Sequence, residues 1–121
     1  MNNIKLPHNH GEKIDEYIIE RLDNKDHFNL VAEIFKQLGD SNRIRLFWLL
    51  SNVEECVINI SALMRMSSPA VSHHLRLLKT NGLVTTRRLG KEVYYRAADT
   101  KEAEYIKKII EKTLNFTDIE E

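Results

Sequence analysis

Polar and cationic side chains at helical spacing are concentrated between residues 67 and 95 of this 121-residue chain. Val71, Leu75 and Leu78 fall on one side of a predicted helix. The other side carries five polar or charged residues: Ser68, Ser72, His73, Arg76 and Lys79. Hydroxyl and imidazole groups can hydrogen-bond base edges and phosphates, and a guanidinium can bind guanine through two hydrogen bonds. The pattern indicates a helix that contacts DNA; the alternative is an ordinary solvated helix surface.

A second group of cations follows in a segment with the pattern of a β-hairpin. Residues 83–88 and 92–97 alternate as two strands, and residues 89–90 (Leu-Gly) supply the turn. The cations near this turn are Arg87, Arg88 and Lys91. One acid within the hairpin, Glu92, cannot neutralise three bases. We therefore predict that these cations contact the DNA backbone or a minor groove.

Charge is unevenly distributed along the chain, although the formal net charge is zero. Residues 58–98 carry seven Lys or Arg against one acid. Residues 1–57 and 99–121 each carry three more acids than bases. A basic middle between acidic ends is the localised electrostatic footprint that phosphate contact requires.

Composition restricts the cellular setting and the class of activity. Cys56 is the single cysteine, so no intrachain disulfide can form, and we expect a reducing cytoplasm. Residues 1–10 lack the apolar core of a signal peptide, and no run approaches the roughly 20 apolar residues of a membrane span. No Gly-rich phosphate loop and no paired catalytic carboxylates accompany the cysteine. We predict a cytoplasmic protein that is not an enzyme and has no membrane partner.

Helical periodicity predicts four helices ahead of the Ser68–Lys79 helix. The first two occupy residues 11–38, and Gly39 suits the position just beyond a helix end. The third, capped by Asp40 or Ser41, is apolar nearly all round and is expected in the core. A short fourth helix is predicted over residues 59–66.

The fifth and sixth helices have their own start signals. Ser67 or Ser68 can cap the fifth helix, with Pro69 in its first turn. Asp99 and Glu102 form a variant of the capping box that opens the last helix. The predicted order is α-α-α-α-α-β-β-α, which is a mainly α fold with a small β-hairpin: a winged helix-turn-helix.

The terminal helices carry apolar stripes outside this module. We predict one domain over residues 1–121, with a flexible arm (1–10), N-terminal helices (11–38), a winged core (40–98) and a C-terminal dimerisation helix (99–116). The predicted dimer interface comprises Ile14, Tyr17, Ile18, Ile106, Ile109 and Ile110. A symmetric dimer would bury these stripes and bind two DNA half-sites. In the alternative, the terminal helices fold back on their own domain.

Several short stretches carry a family resemblance. They are L-G-D-S-N-R-I-R-L (38–46), E-E-C-V-I-N-I (54–60), S-S-P-A-V-S-H-H-L-R-L-L (67–78), N-G-L-V (81–84), R-R-L-G-K-E-V-Y-Y (87–95) and Asp99. Together they resemble the ArsR/SmtB family of bacterial metal-sensing repressors. The resemblance implies a homodimeric repressor that binds an imperfect palindrome of operator DNA, and an inducer, usually a metal ion, that weakens this binding.

The sensor positions that the resemblance implies are largely replaced. Soft-metal sensors resemble E-L-C-V-C-D-L at the fourth helix, where two thiolates suit a thiophilic ion. Cys56 matches the first of these cysteines, but Ile58 and Asn59 replace the second cysteine and the acid. At the family's other site Asp99 matches the first ligand. The remaining three positions hold Lys101, Lys112 and Asn115. Ammonium groups repel a cation, so we predict that this second site is absent.

A reduced metal site remains as a hypothesis. It would combine Cys56 with nitrogen ligands from the N-terminal region: His8, His10 or His27. A transition-metal ion such as zinc would then be the inducer. The alternative is that these histidines are solvated and that the cysteine is a small buried hydrophobe. His73 and His74 do not form a metal pair, because neighbouring helix positions point about 100° apart; His74 is expected beside the core and His73 towards DNA.

The resulting hypothesis is a homodimeric, sequence-specific DNA-binding repressor that a metal ion or another small inducer releases from its operator. Two alternatives stay open. One is a winged-helix module that binds proteins, and the other is a repressor of the same family that has lost metal sensing.

Overall fold

A computed structural model describes residues 5–11 and 13–118. This part of the chain contains six helices and three strands. In chain order they are α1 (Glu16–Asp23), α2 (Lys25–Gln37), α3 (Ser41–Leu50), β1 (Glu55–Cys56), α4 (Val57–Met64), α5 (Ser68–Thr80), β2 (Val84–Leu89), β3 (Glu92–Ala97) and α6 (Lys101–Asp118). Two compact units form, one ending at Glu33 and the other beginning at Ile34. No helix among the described residues is long and apolar enough to cross a membrane.

The N-terminal unit contains α1 and most of α2. Asp15 caps α1, since its carboxylate accepts a hydrogen bond of 2.8 Å from the Tyr17 amide. Asn24 precedes α2, and its side-chain oxygen accepts from the His27 amide at 3.3 Å. The first helix therefore begins at Glu16, later than the predicted start of the N-terminal helices at residue 11, because the capping carboxylate sets its start.

The second unit has one hydrophobic core. Its buried side chains come from every helix of the unit and from the start of β2: Leu46, Phe47, Leu50, Ile60, Met64, Val71, Leu75, Leu78, Leu83, Val84, Ala103 and Ile106. The expectation that α3 is central is confirmed for its buried side, where Phe47 is fully enclosed. It is wrong for Trp48, which is 39% exposed. Burial of this apolar surface is the main stabilising contribution to the fold.

Capping side chains determine where α3 and α5 begin. The Asp40 carboxylate accepts hydrogen bonds from the Asn42 amide at 2.9 Å and the Arg43 amide at 3.1 Å. These bonds lower the pKa of the Asp40 carboxyl, and the bond from the Arg43 amide has the larger effect. At α5, the Ser67 hydroxyl accepts from the Ala70 amide at 3.3 Å. Of the predicted alternatives, Asp40 and Ser67 are therefore the caps.

The sheet contains a strand that sequence analysis did not predict. β1 pairs antiparallel with β3, which also pairs antiparallel with β2, so the strand order is β1-β3-β2. Two residues are too few for a readable alternation, which explains why β1 was not predicted. β1 leads directly into α4, which starts at Val57 with Cys56 as its N-cap residue, earlier than the predicted start at residue 59. β2 lies one residue later than predicted, because Leu83 is buried in the core ahead of the strand.

The start of α6 differs from the predicted capping box. The Thr100 hydroxyl accepts a hydrogen bond of 3.1 Å from the Ala103 amide. The Thr100 carbonyl accepts from the Glu104 amide at 3.0 Å, which is the first turn of the helix. Thr100 is therefore the capping residue, and the prediction of Asp99 is wrong by one position.

The two candidate caps give a direct test of this assignment. Thr100→Ala should lower the free energy of unfolding by about 1 kcal/mol, because an orphan amide of the first helical turn loses its acceptor. Asp99→Ala should change it by less than about 0.5 kcal/mol. Urea unfolding followed by far-UV circular dichroism measures both variants. A larger loss for Asp99→Ala than for Thr100→Ala would contradict the assignment.

Candidate nucleic-acid interface

Helix α5 has one buried and one exposed side. It packs against α3 and α4, and it buries Val71, Leu75 and Leu78 almost completely. The predicted contact residues all lie on the exposed side: Ser68, Ser72, His73, Arg76 and Lys79. The helical spacing therefore separates a core side from a surface that is free to meet a ligand.

Two residues of this exposed side also bind neighbouring elements. The Ser68 hydroxyl shares a hydrogen bond of 3.1 Å with the hydroxyl of Ser61 in α4. The Lys79 ammonium donates to the Thr86 hydroxyl of β2 at 3.3 Å. These contacts join α5 to the helix before it and to the hairpin after it, so the helix and hairpin present adjoining surfaces.

The hairpin turn carries exposed cations. Gly90 occupies the turn with φ +62°, a left-handed conformation that glycine adopts without steric strain. Arg88 and Lys91 beside it are exposed. At the strand that follows, the Tyr94 hydroxyl donates to Glu92 at 3.1 Å, and this hydrogen bond raises the pKa of Tyr94. The single acid of the hairpin is thus engaged by a tyrosine.

Arg87, the third predicted hairpin cation, is held by an acid outside the hairpin. Its Nε donates to Glu54 Oε1 at 2.8 Å, and Nη2 of the same guanidinium reaches the same oxygen. Arg96 Nε lies 3.7 Å from Glu54 Oε2. The hydrogen bond from Arg87 is the chief reason that the pKa of Glu54 is lowered, and it raises the pKa of Arg87. Sequence analysis weighed only Glu92 and missed this pair, since Glu54 is 33 residues away in sequence.

His74 lies beside the core, as predicted, and contacts α3. Its Nδ1 accepts from Arg43 Nη1 at 3.4 Å, while Arg43 Nε donates to the Gln37 carbonyl at 2.6 Å. Partial burial is the largest cause that lowers the pKa of His74 below its usual 6.5, and Arg43 and His73 act in the same direction. Asp40 opposes them. The neutral imidazole therefore fits this position better than the charged form.

Cys56 is buried, at the junction of β1 and α4. Ile58, at the position of the second thiolate implied by the resemblance, is 73% exposed and has no donor atom. Asn59 Nδ2 donates to Glu55 Oε2 at 2.8 Å, so the nearest carboxylate is already hydrogen-bonded. The donor set around Cys56 in this unit does not suit a thiophilic ion.

The candidate nitrogen ligands lie in the other compact unit. The rings of His8 and His10 are stacked, with centroids 5.9 Å apart and planes 7° apart. His27 Nδ1 accepts from Asn24 Nδ2 at 3.0 Å. Over residues 5–11 and 13–118, no group of three or more His, Cys, Asp and Glu side chains is arranged to hold a metal ion.

The residues at the family's second metal position are exposed along α6 and just before it: Asp99, Lys101, Lys112 and Asn115. Two ammonium groups among four positions oppose cation binding. The chemistry of this set does not fit a divalent metal.

The predicted dimer residues fall into two groups. Ile14, Tyr17 and Ile18 of the N-terminal unit are exposed. On α6, Ile109 is 57% exposed, but Ile106 is only 9% exposed and belongs to the core. Ile110 packs against that core. Ile106 and Ile110 also line an apolar groove beside Ile109, so the part of all three in a subunit interface stays a prediction.

Comparison with known proteins agrees with this geometry. Residues 40–86 match the family described as "Bacterial regulatory protein, arsR family". The chain is 45% identical over 74 residues to a transcriptional repressor SmtB homolog of Synechocystis, which covers 61% of this chain and 56% of that protein. It is 36% identical over 85 residues to an HTH-type transcriptional regulator of Methanocaldococcus jannaschii, covering 69% of this chain and 96% of that protein.

Solved structures give the same fold. A homodimeric winged helix-turn-helix domain from Mycobacterium bovis, a possible ArsR-family regulator, is 30% identical with a TM-score of 0.65, covering 79% of this chain and 86% of that one. The transcriptional repressor BigR from Xylella fastidiosa is 30% identical with a TM-score of 0.63, covering 71% and 85%.

These similarities and the arrangement of α5 and the hairpin define a winged helix-turn-helix protein, so the predicted fold class is confirmed. The chain belongs to the ArsR family of bacterial regulatory proteins. The match spans 56% of the length of the Synechocystis relative and 65% of that of a Staphylococcus aureus cadmium resistance regulatory protein CadC homolog.

The pKa of His74 gives a prediction about stability. Because the folded-state pKa is lowered, the unfolded chain binds a proton first as the pH falls below about 6.5. The contribution of neutral His74 is thus complete above that pH and is lost as the pH falls towards the lowered value. Urea unfolding of the wild type at pH 7.5 and pH 5.5 should show this loss.

Two matched variants isolate the histidine. His74→Gln keeps an acceptor for Arg43 but cannot titrate, so its stability should fall less on acidification than that of the wild type. Ser72→Ala, at an exposed position of the same helix, removes no titratable group and should retain the wild-type pH dependence. Equal pH dependence in wild type and His74→Gln would show that His74 does not have the expected role.

Proposed function

We propose that the protein is a homodimeric transcriptional repressor that binds operator DNA sequence-specifically in the cytoplasm. The observation that carries this proposal is the exposed side of α5, which adjoins a hairpin with exposed cations. The proposed contacts from α5 are Ser68, Ser72, His73, Arg76 and Lys79, with Arg88 and Lys91 from the hairpin. Arg87 was predicted as a further DNA contact, but its guanidinium forms an ion pair with Glu54, so it is not included among the proposed contacts.

The chemistry of the two surfaces suits two kinds of contact. Side chains near the start of α5 can read base edges when the helix enters a major groove. The hairpin cations supply charge for the phosphate backbone or a minor groove. A duplex would thus be bound by one sequence-reading element and one electrostatic element.

Exposed apolar surface supports self-association. A groove of the second unit is lined by side chains from α2, α3 and α6, among them Phe35, Leu38, Ile44, Ile109 and Leu114. The M. bovis domain with the same fold is homodimeric. We propose that this groove, with the exposed face of α1, contributes to a symmetric interface. That residues 1–121 form a single domain likewise stays a proposal.

The proposed inducer is not a metal at either family position. Relatives include a cadmium resistance regulatory protein homolog and an arsenical resistance operon repressor. In this chain Ile58 has no ligand atom, and Lys101 and Lys112 repel cations. The first candidate is therefore a repressor that a small inducer other than a metal releases from DNA. The second candidate is a repressor that has lost metal sensing.

Salt dependence tests DNA binding. On labelled duplex from the region upstream of its own gene, the dissociation constant should rise steeply with salt, because each phosphate contact releases counterions. Arg88→Gln and Lys91→Gln should each reduce the slope of log K against log salt by about 0.9. Fluorescence anisotropy measures these slopes.

Lys108→Gln provides the matched control. Lys108 is exposed on α6, where its Nζ lies 3.6 Å from Glu104 Oε1, and it belongs to neither α5 nor the hairpin, so its loss should leave the slope unchanged. Absent or salt-insensitive binding of the wild type would favour the protein-interaction module instead.

Metal titration tests the inducer. Because the donor sets do not fit a metal, zinc, cadmium, nickel and copper should leave the DNA affinity of the wild type unchanged. Calorimetry and anisotropy on wild type and Cys56→Ser give metal binding and DNA affinity in parallel. Metal-dependent loss of DNA binding that Cys56→Ser abolishes would restore the hypothesis of a site with Cys56 and arm histidines such as His8 or His10.

A further inference from the structure

The Glu54 carboxylate lies between two arginines of the sheet. Its side chain is only 22% exposed, and it contacts Arg87 of β2 through Nε at 2.8 Å. Its second oxygen lies 3.7 Å from Arg96 of β3. Because Glu54 directly precedes β1, the contact connects the chain ahead of the first strand with both strands of the hairpin. It supplements the short β1–β3 pairing, which joins Glu55 with Tyr95 and Cys56 with Tyr94.

Strand alternation separates the two hairpin arginines. Successive side chains of a strand point to opposite faces, so Arg88 shares a face of β2 with Thr86, and Arg87 points to the other face. Thr86 accepts a hydrogen bond from Lys79 of α5. Arg88 therefore lies on the face of β2 that is directed towards α5. Arg87 lies on the opposite face, where it contacts Glu54.

We propose that Arg87 does not bind phosphate and that Glu54 and Arg87 form a positioning pair, which holds the hairpin so that Arg88 and Lys91 meet the duplex. The pair acts through other residues, because Nε and Nη2 of Arg87 are both directed at Glu54, on the face of β2 opposite Arg88. This inference rests on the proposed DNA-binding function and assigns to Glu54 a role that the sequence analysis did not consider.

A double-mutant cycle on labelled upstream duplex tests the pair. Arg87→Gln should weaken binding by about threefold to tenfold when Glu54 is present, because the hairpin loses its anchor. In the Glu54→Gln background it should have little further effect. Any long-range effect of removing the acidic charge adds equally to all variants of that background and cancels in the coupling.

Arg88→Gln is the matched control, since it removes the same charge one residue away. With Glu54 present it should weaken binding and reduce the salt slope by about 0.9. In the Glu54→Gln background it should weaken binding less, because the hairpin is no longer held with Arg88 at the duplex. All measurements are made well below the unfolding midpoint of each variant, so that loss of the fold cannot account for weaker binding.

The outcomes separate the inference from the function. Equal weakening by Arg87→Gln in both backgrounds, with a reduced salt slope, would mean that Arg87 contacts phosphate and would overturn the inference alone. No weakening in either background would overturn it as well. Absence of salt-dependent binding by the wild type would overturn the proposed function, and the positioning role with it.

Discussion

The burial of one side of α5 against α3 and α4 is the constraint on which the proposed DNA-binding surface depends. Val71, Leu75 and Leu78 are held almost free of water, and removing apolar surface from water contributes about 25 cal/mol per Å². Rotation of α5 would expose these side chains, so the polar residues between them have a fixed outward direction. The same burial aligns the helix with the hairpin, because Lys79 at its end meets Thr86 of β2.

The sheet imposes a second constraint, through the alternation of its strands. One face of β2 contacts α5 and the other contacts Glu54. The adjacent residues Arg87 and Arg88 therefore have different surroundings. Both side chains are exposed, but Arg87 forms an ion pair with Glu54, whereas Arg88 lies on the opposite face of the strand. A cluster of basic residues in a hairpin is thus composed of members with different roles, and charge alone does not distinguish them.

The family pattern is kept in α5 and the hairpin, but it is largely replaced at the positions where relatives of the resembled family hold a metal. The exposed side of α5 and the hairpin turn keep the polar and cationic residues that are proposed to contact DNA. Around Cys56, the buried thiol has an exposed isoleucine and a hydrogen-bonded asparagine–glutamate pair for neighbours. This contrast supports the proposal of a repressor whose inducer is not a metal at these positions, since Ile58 supplies no second thiolate and two of the four positions of the other site hold lysine.

The sequence by itself determined the helices, the hairpin and the exposed side of α5, because apolar periodicity and capping residues act over one to seven positions. Local signals also narrowed the caps: Asp40 and Ser67 were among the predicted alternatives. They misplaced the start of α6, where Asp99 and Thr100 are both good caps and only the packed helix selects the hydroxyl of Thr100. Tertiary structure alone decided the pairing of β1 and the contact of Glu54 with Arg87. It also turned Ile106 towards its own core. These features join residues far apart in sequence, and no local pattern encodes which distant partner a short strand, a carboxylate or an apolar stripe meets.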